Sequence, residues 1–211
     1  MENKTILEHL QDAEIEKLWR LAFDEYVQDC RSSFGRKKTP AQIQSAAKAL
    51  MAIPMGNQNP ARIWETGEYI YIISPRTVVR AINRGPALKP NELPVVGAAE
   101  KLFVVGAAEK LFDADQSSGS TVSDIDWPFF LAEATADFKK KRKWIGLYRK
   151  GAEPYGYAVD AASLVPALTI LGRPERVWTW GPERSLMMRM ENDSVSVVTL
   201  LKKEEKEVKT A

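Results

Sequence analysis

Apolar residues recur with helical period near the start of the chain. Ile15, Leu18, Trp19, Ala22, Phe23 and Tyr26 fall at i, i+3, i+4, i+7, i+8 and i+11. They form one face of a helix, predicted over 5–30. A polar break, RSSFGRKK, follows at 31–38. Thr39-Pro40-Ala41-Gln42 then opens a second helix: Thr39 suits the N-cap, Pro40 the first turn, and Gln42 closes a capping box. Ile43, Ala46, Ala47, Leu50 and Met51 continue its apolar stripe until Pro54 and Gly56 end it.

Beyond a loop at 57–60 the pattern changes character. Tyr69-Ile70-Tyr71-Ile72-Ile73 is rich in β-formers and predicts a buried strand. Ser74-Pro75 predicts a short helix running to about Arg84, stopped by Gly85-Pro86. Residues 85–94 form a proline-rich link, and 113–126 a polar, acidic loop. A helix is expected from Asp126-Trp127-Pro128 to about Lys139, with strands at Trp144–Tyr148 and Tyr155–Val159. Asp160 caps a helix to Leu171 with Gly172 as its stop; Pro166 draws the start toward Ser163. Strands follow around Arg176–Trp180, Leu186–Met190 and Val195–Leu201, and the tail KKEEKEVKTA reads as a solvated charge run. This is an α+β chain: a helical extension over 1–56, an α+β domain over 57–205 and a frayed tail over 206–211.

One feature obeys no structural period. Val95–Phe103 reads VVGAAEKLF, and Val104–Phe112 repeats it letter for letter. Nine helical residues turn the chain by about 900°, so on one helix the two copies face opposite sides. An odd shift flips the face of a strand as well. One continuous element cannot bury both copies on one side, which marks an insertion rather than a functional motif.

Composition narrows the chemistry. The chain has 211 residues, 45% of them hydrophobic, and a net charge of +2 from 30 basic and 28 acidic residues. Attraction to nucleic acid must therefore come from a local patch. A single cysteine, Cys30, allows no intrachain disulfide, and no apolar run suits a membrane span, so a cytoplasmic setting without membrane contact is expected. One histidine, His9, leaves too few ligands for structural zinc and no partner to activate Cys30. Phosphate-loop, dinucleotide, nucleophile-elbow and zinc-protease motifs do not occur. Asp113, Asp115, Ser117 and Asp124 sit at the relative spacing of a calcium loop, but Ser118 stands where that loop needs glycine, and a solvated linker fits better. No enzyme activity, cofactor or metal is expected.

Two basic features remain. Arg76, Arg80 and Arg84 fall at i, i+4 and i+8, one stripe if residues 74–84 are helical. Lys139, Lys140, Lys141, Arg142 and Lys143 form a run flanked by Phe138 and Trp144. Clustered cations suit phosphates and aromatics stack on bases, although a charge run also serves as plain solvated surface. Trp178 and Trp180 share one face of a strand, as a ligand platform or as buried packing.

From Tyr157 to Leu201 the segments YAVDAASLVPALTILG, ERVWTWG, SLMMRM and DSVSVVTL resemble the closing half of a DNA polymerase sliding-clamp domain. Asp160, Leu164, Ala167, Leu168 and Leu171 fill the helix pattern of that family. The resemblance implies βαβββ half-domains, with Tyr69–Ile73 and Ser74–Arg84 as strand and helix of the first half. It also implies a non-enzymatic role in DNA replication or related transactions, through DNA held by basic helices and through protein contacts. Arg76, Arg80, Arg84 and Lys139–Lys143 are the DNA-binding candidates, and a homo-oligomer is in keeping with the family. The alternative is an interaction or regulatory module without DNA contact, docking partners through Trp19, Phe23 and Tyr26.

Overall fold

The computed structural model describes residues 12–54, 62–66, 68–82, 107–113, 119–138, 143–151, 153–181 and 186–204. The fold is α+β, with helices ahead of antiparallel sheets. Helix α1 (Asp12–Ser33) and helix α2 (Pro40–Met51) come first. Strands β1 (Arg62–Glu65), β2 (Tyr69–Ile73) and β3 (Thr77–Ile82) follow, then helix α3 over 107–113 and the short β4 (Ser120–Thr121). Helix α4 (Trp127–Phe138), β5 (Trp144–Tyr148), β6 (Pro154–Asp160), helix α5 (Ala161–Leu171), β7 (Arg176–Trp180), β8 (Met187–Glu191), β9 (Val195–Leu200) and β10 (Lys202–Lys203) complete the order.

Capping chemistry sets two of the helix starts. The Thr39 amide donates to the Gln42 side chain at 2.9 Å, and the Gln42 amide returns a bond to the Thr39 hydroxyl at 3.3 Å. This is the reciprocal capping box that the residues call for. Asp160 accepts from the Ala162 amide at 3.2 Å, so α5 starts at Ala161 rather than near Ser163. Gly172 ends α5 at a φ of +76°, a conformation open to glycine and strained for other residues.

Seven strands form one sheet in the order β1-β2-β3-β9-β8-β7-β4, and three form a second, β10-β6-β5. Alternation along each strand assigns the residues to faces. Ile70, Ile72, Val79, Val177, Met188, Met190 and Val197 build the main core with α2 and α5. The opposite face carries Tyr71, Ile73, Val78 and Val198, roofed by Ala108 and Phe112 of α3. Each face buries several large side chains, of the order of 2 kcal/mol apiece.

Three expectations need correction. Residues 77–82, expected within a helix, form β3: it pairs with β2 through Tyr71↔Arg80 and with β9 through Val79↔Val197. Val78 and Val79 are β-branched and buried on opposite faces, which suits a central strand and not a one-sided helix. A strand also stands at 62–65, where no element was expected. Lys202 and Lys203, assigned to a solvated tail, pair with Ala158 and Tyr157 of β6. From β6 to β9 the chain order is strand, helix and three strands. However, β6 lies in the smaller sheet and β7–β9 in the larger.

The second copy of the repeat supplies α3. Its Ala108 and Phe112, four residues apart, are buried against the sheet while Ala107 and Lys110 face outward. The first copy lies outside the described residues, as do 57–60 and 206–211.

Candidate docking surface

The sequence-level candidates separate in space. Arg76 sits in the turn ahead of β3, where its guanidinium meets Asp160 at 2.8 Å and lies 4.9 Å over the Trp144 ring. Asp160 is almost fully buried, so this ion pair joins the β2–β3 turn to the start of α5. Arg80 is held between two aromatic rings, 4.8 Å from Tyr69 and 4.4 Å from Phe112. Arg76 and Arg80 thus serve the fold from two places and share no helical stripe. Lys143 is exposed beside Trp144. Lys202, which sequence reasoning placed in the tail, comes within 5.9 Å of the same ring. Arg84 and Lys139–Arg142 lie outside the described residues, as does His9.

Trp178 is buried under the Arg189 guanidinium at 4.8 Å, and Trp180 is half-buried, so the pair packs rather than forming an open platform. Burial pushes the Cys30 thiol above its ordinary value, which keeps it protonated. Among the described residues, no group of three or more metal-ligating side chains converges. Asp115 and Ser117 of the acidic loop lie outside them. No described helix is long and apolar enough to cross a membrane.

Helix α1 presents a different kind of surface. Twenty-two residues give it a length of about 33 Å. Its C-terminal half is anchored on α4: Val27 is buried, Phe23 meets Phe129 edge to face at 5.8 Å, and Arg31 pairs with the Asp126 carboxylate at 3.0 Å. Asp126 in turn accepts from the Phe129 amide at the start of α4, so one buried carboxylate fixes both helices. Ile15, Leu18, Trp19, Leu21 and Tyr26 stay exposed, Leu18 and Trp19 at 52% and Leu21 at 58%. Single exposed apolar residues are ordinary; on α1 five large ones lie along one helix. Trp19 stacks on Phe23 at 5.3 Å with near-parallel rings, which restricts its rotamers in advance of any contact. The helical period in the sequence named Ile15, Leu18, Trp19 and Tyr26 but not Leu21, and it put Phe23 among the docking residues although Phe23 packs against Phe129. It did not reveal that the core takes only the Phe23–Val27 side of the helix.

Two clefts lie nearby. One, of about 790 Å³, is bordered by Arg31, Asp126, Lys150, Arg176 and Trp178, with charges of both signs. The other, of about 740 Å³, has an apolar floor including Ile43, Ala81, Ile170 and Val195 under a rim with Arg36, Lys37, Lys38 and Arg173. Ile82, the exposed large apolar side chain found away from α1 among the described residues, belongs to this second cleft. Compared with known proteins, the chain matches no family model, no curated protein and no solved structure.

Proposed function

We propose that this protein is a non-enzymatic interaction module that docks a protein partner through the exposed apolar arc of α1. One observation carries the reading: five large apolar side chains of one helix face solvent while its other side is anchored on α4. A face of that period is the anchor pattern with which helices enter grooves on partners.

A second reading, contact with nucleic acid as the clamp resemblance implies, is favoured by the gathering of Arg76, Lys143 and Lys202 around Trp144. Phosphates would meet the lysines and a base the indole. The α1 reading ranks first because Arg76 is already committed to Asp160 and Arg80 to two rings.

The double variant Leu18→Ser/Leu21→Ser separates the two. Under the α1 reading it folds normally and loses association with protein partners, and the chain shows no oligonucleotide binding that falls steeply with salt. Protein association left intact by the serines would overturn the reading. Salt-sensitive oligonucleotide binding, in wild type and variant alike, would move the function to the Trp144 cluster.

A further inference from the structure

We infer that the partner of α1 is a second copy of this chain, whose basic cleft between α2, α5 and the end of β3 receives the arc. This rests on the docking role proposed for α1.

The argument is one of charge and shape. Helix α1 carries six acids against three bases, and of those bases Arg20 pairs with Glu16 and Arg31 with Asp126. Glu25 and Asp29, both exposed, adjoin the arc at its C-terminal end: Glu25 lies four residues from Leu21, and Asp29 three from Tyr26. The apolar arc therefore has an acidic margin. Two α1 helices set face to face would oppose like charges, which disfavours a simple helix-to-helix dimer. The cleft is the complement: apolar floor, rim of Arg36, Lys37, Lys38 and Arg173, and Glu175 as the acid among the lining residues. Its roughly 740 Å³ leaves space for anchoring side chains such as Trp19 and Leu18.

The occupant must come from another molecule. A chain's own α1 is fastened along α4 by Phe23–Phe129 and Arg31–Asp126. It reaches its own cleft only at its C-terminal end, through the turn at Gly35. Reciprocal exchange, each α1 entering the other copy's cleft, closes under a two-fold axis and leaves neither surface open.

The test is sedimentation of the full-length chain from low to high micromolar concentration. Wild type should form a dimer. Lys37→Glu/Lys38→Glu and Glu25→Lys/Asp29→Lys should each weaken it by at least about tenfold, because each opposes like charges across the rim. An equimolar mixture of the two variants should recover the dimer, since both interfaces then join opposite charges again. A strictly monomeric wild type, a dimer indifferent to both variants, or a mixture that fails to recover overturns the inference. A monomer that still loses a different protein partner in the Leu18→Ser/Leu21→Ser variant would sink the second-copy inference alone and leave the docking role of α1 standing.

Discussion

At the scale of single residues, the fold spends its buried charges on joining elements. Asp126, Asp160 and Glu191 are each buried, and each meets an arginine from elsewhere in the chain: Arg31, Arg76 and Arg176. Glu191 also holds Arg189 at 2.8 Å, itself buried and donating to the Phe112 carbonyl at 2.6 Å. Such pairs are strongly destabilising when one member is removed, because the survivor is left charged and buried. Glu204 is different. Desolvation by burial raises its carboxyl above the ordinary value. Its folded-state affinity for a proton exceeds that of the unfolded chain, so its contribution is fully present below the unfolded pKa, near 4.3. That contribution is lost as pH rises through the folded value. At neutral pH the ionised group therefore opposes folding. Glu204→Gln should raise the urea midpoint at pH 7, and its advantage should shrink toward nothing near pH 4. An equal gain at both pH values would show that burial of the charge is not the cause.

At the scale of elements, the legible parts were those whose signal is local. The capping box at Thr39–Gln42, the Asp160 cap and the Gly172 limit of α5 could be read because a handful of neighbouring side chains and one backbone angle decide them, although Pro166 drew the expected start of α5 past Ala161 toward Ser163. The β2–β3 turn could not. Arg76, Arg80 and Arg84 share a helical period by coincidence of spacing, whereas the choice of strand is made by β9, more than a hundred residues away, pairing along Val78 and Val79. The partners of Arg76 and Lys202 were likewise hidden, because Asp160 and Trp144 reach them only through tertiary packing. The arc on α1 was visible as a period, but a period does not say which part of a face the core will claim. The repeat at 95–112 gives the sharpest test at this scale. Deleting either copy yields the same chain, and that chain keeps one AAEKLF to roof the sheet as α3 does. The nine-residue deletion should melt within a few degrees of wild type, whereas Phe112→Ala in the shortened chain should cost about 3 kcal/mol or more by exposing the Tyr71, Val78 and Val198 face. A deletion that fails to fold would show that both copies are structural.

For the whole molecule, the described residues cover the larger sheet on both faces. The buried Thr77 hydroxyl bonds to those of Ser163 and Thr199, all within the packed core. What projects is a half-anchored helix with an apolar, acid-margined arc, and a basic cleft that complements it. The account stands on that arc being a contact surface for another polypeptide. A photo-crosslinking side chain placed at Leu18, with Lys110 on α3, exposed and on the sheet face opposite the cleft, as control, measures this directly in the whole chain. Adducts to a second polypeptide from position 18 and not from position 110 are the expected result. Equal yields at both positions, or adducts from position 18 only within the same chain, would contradict it.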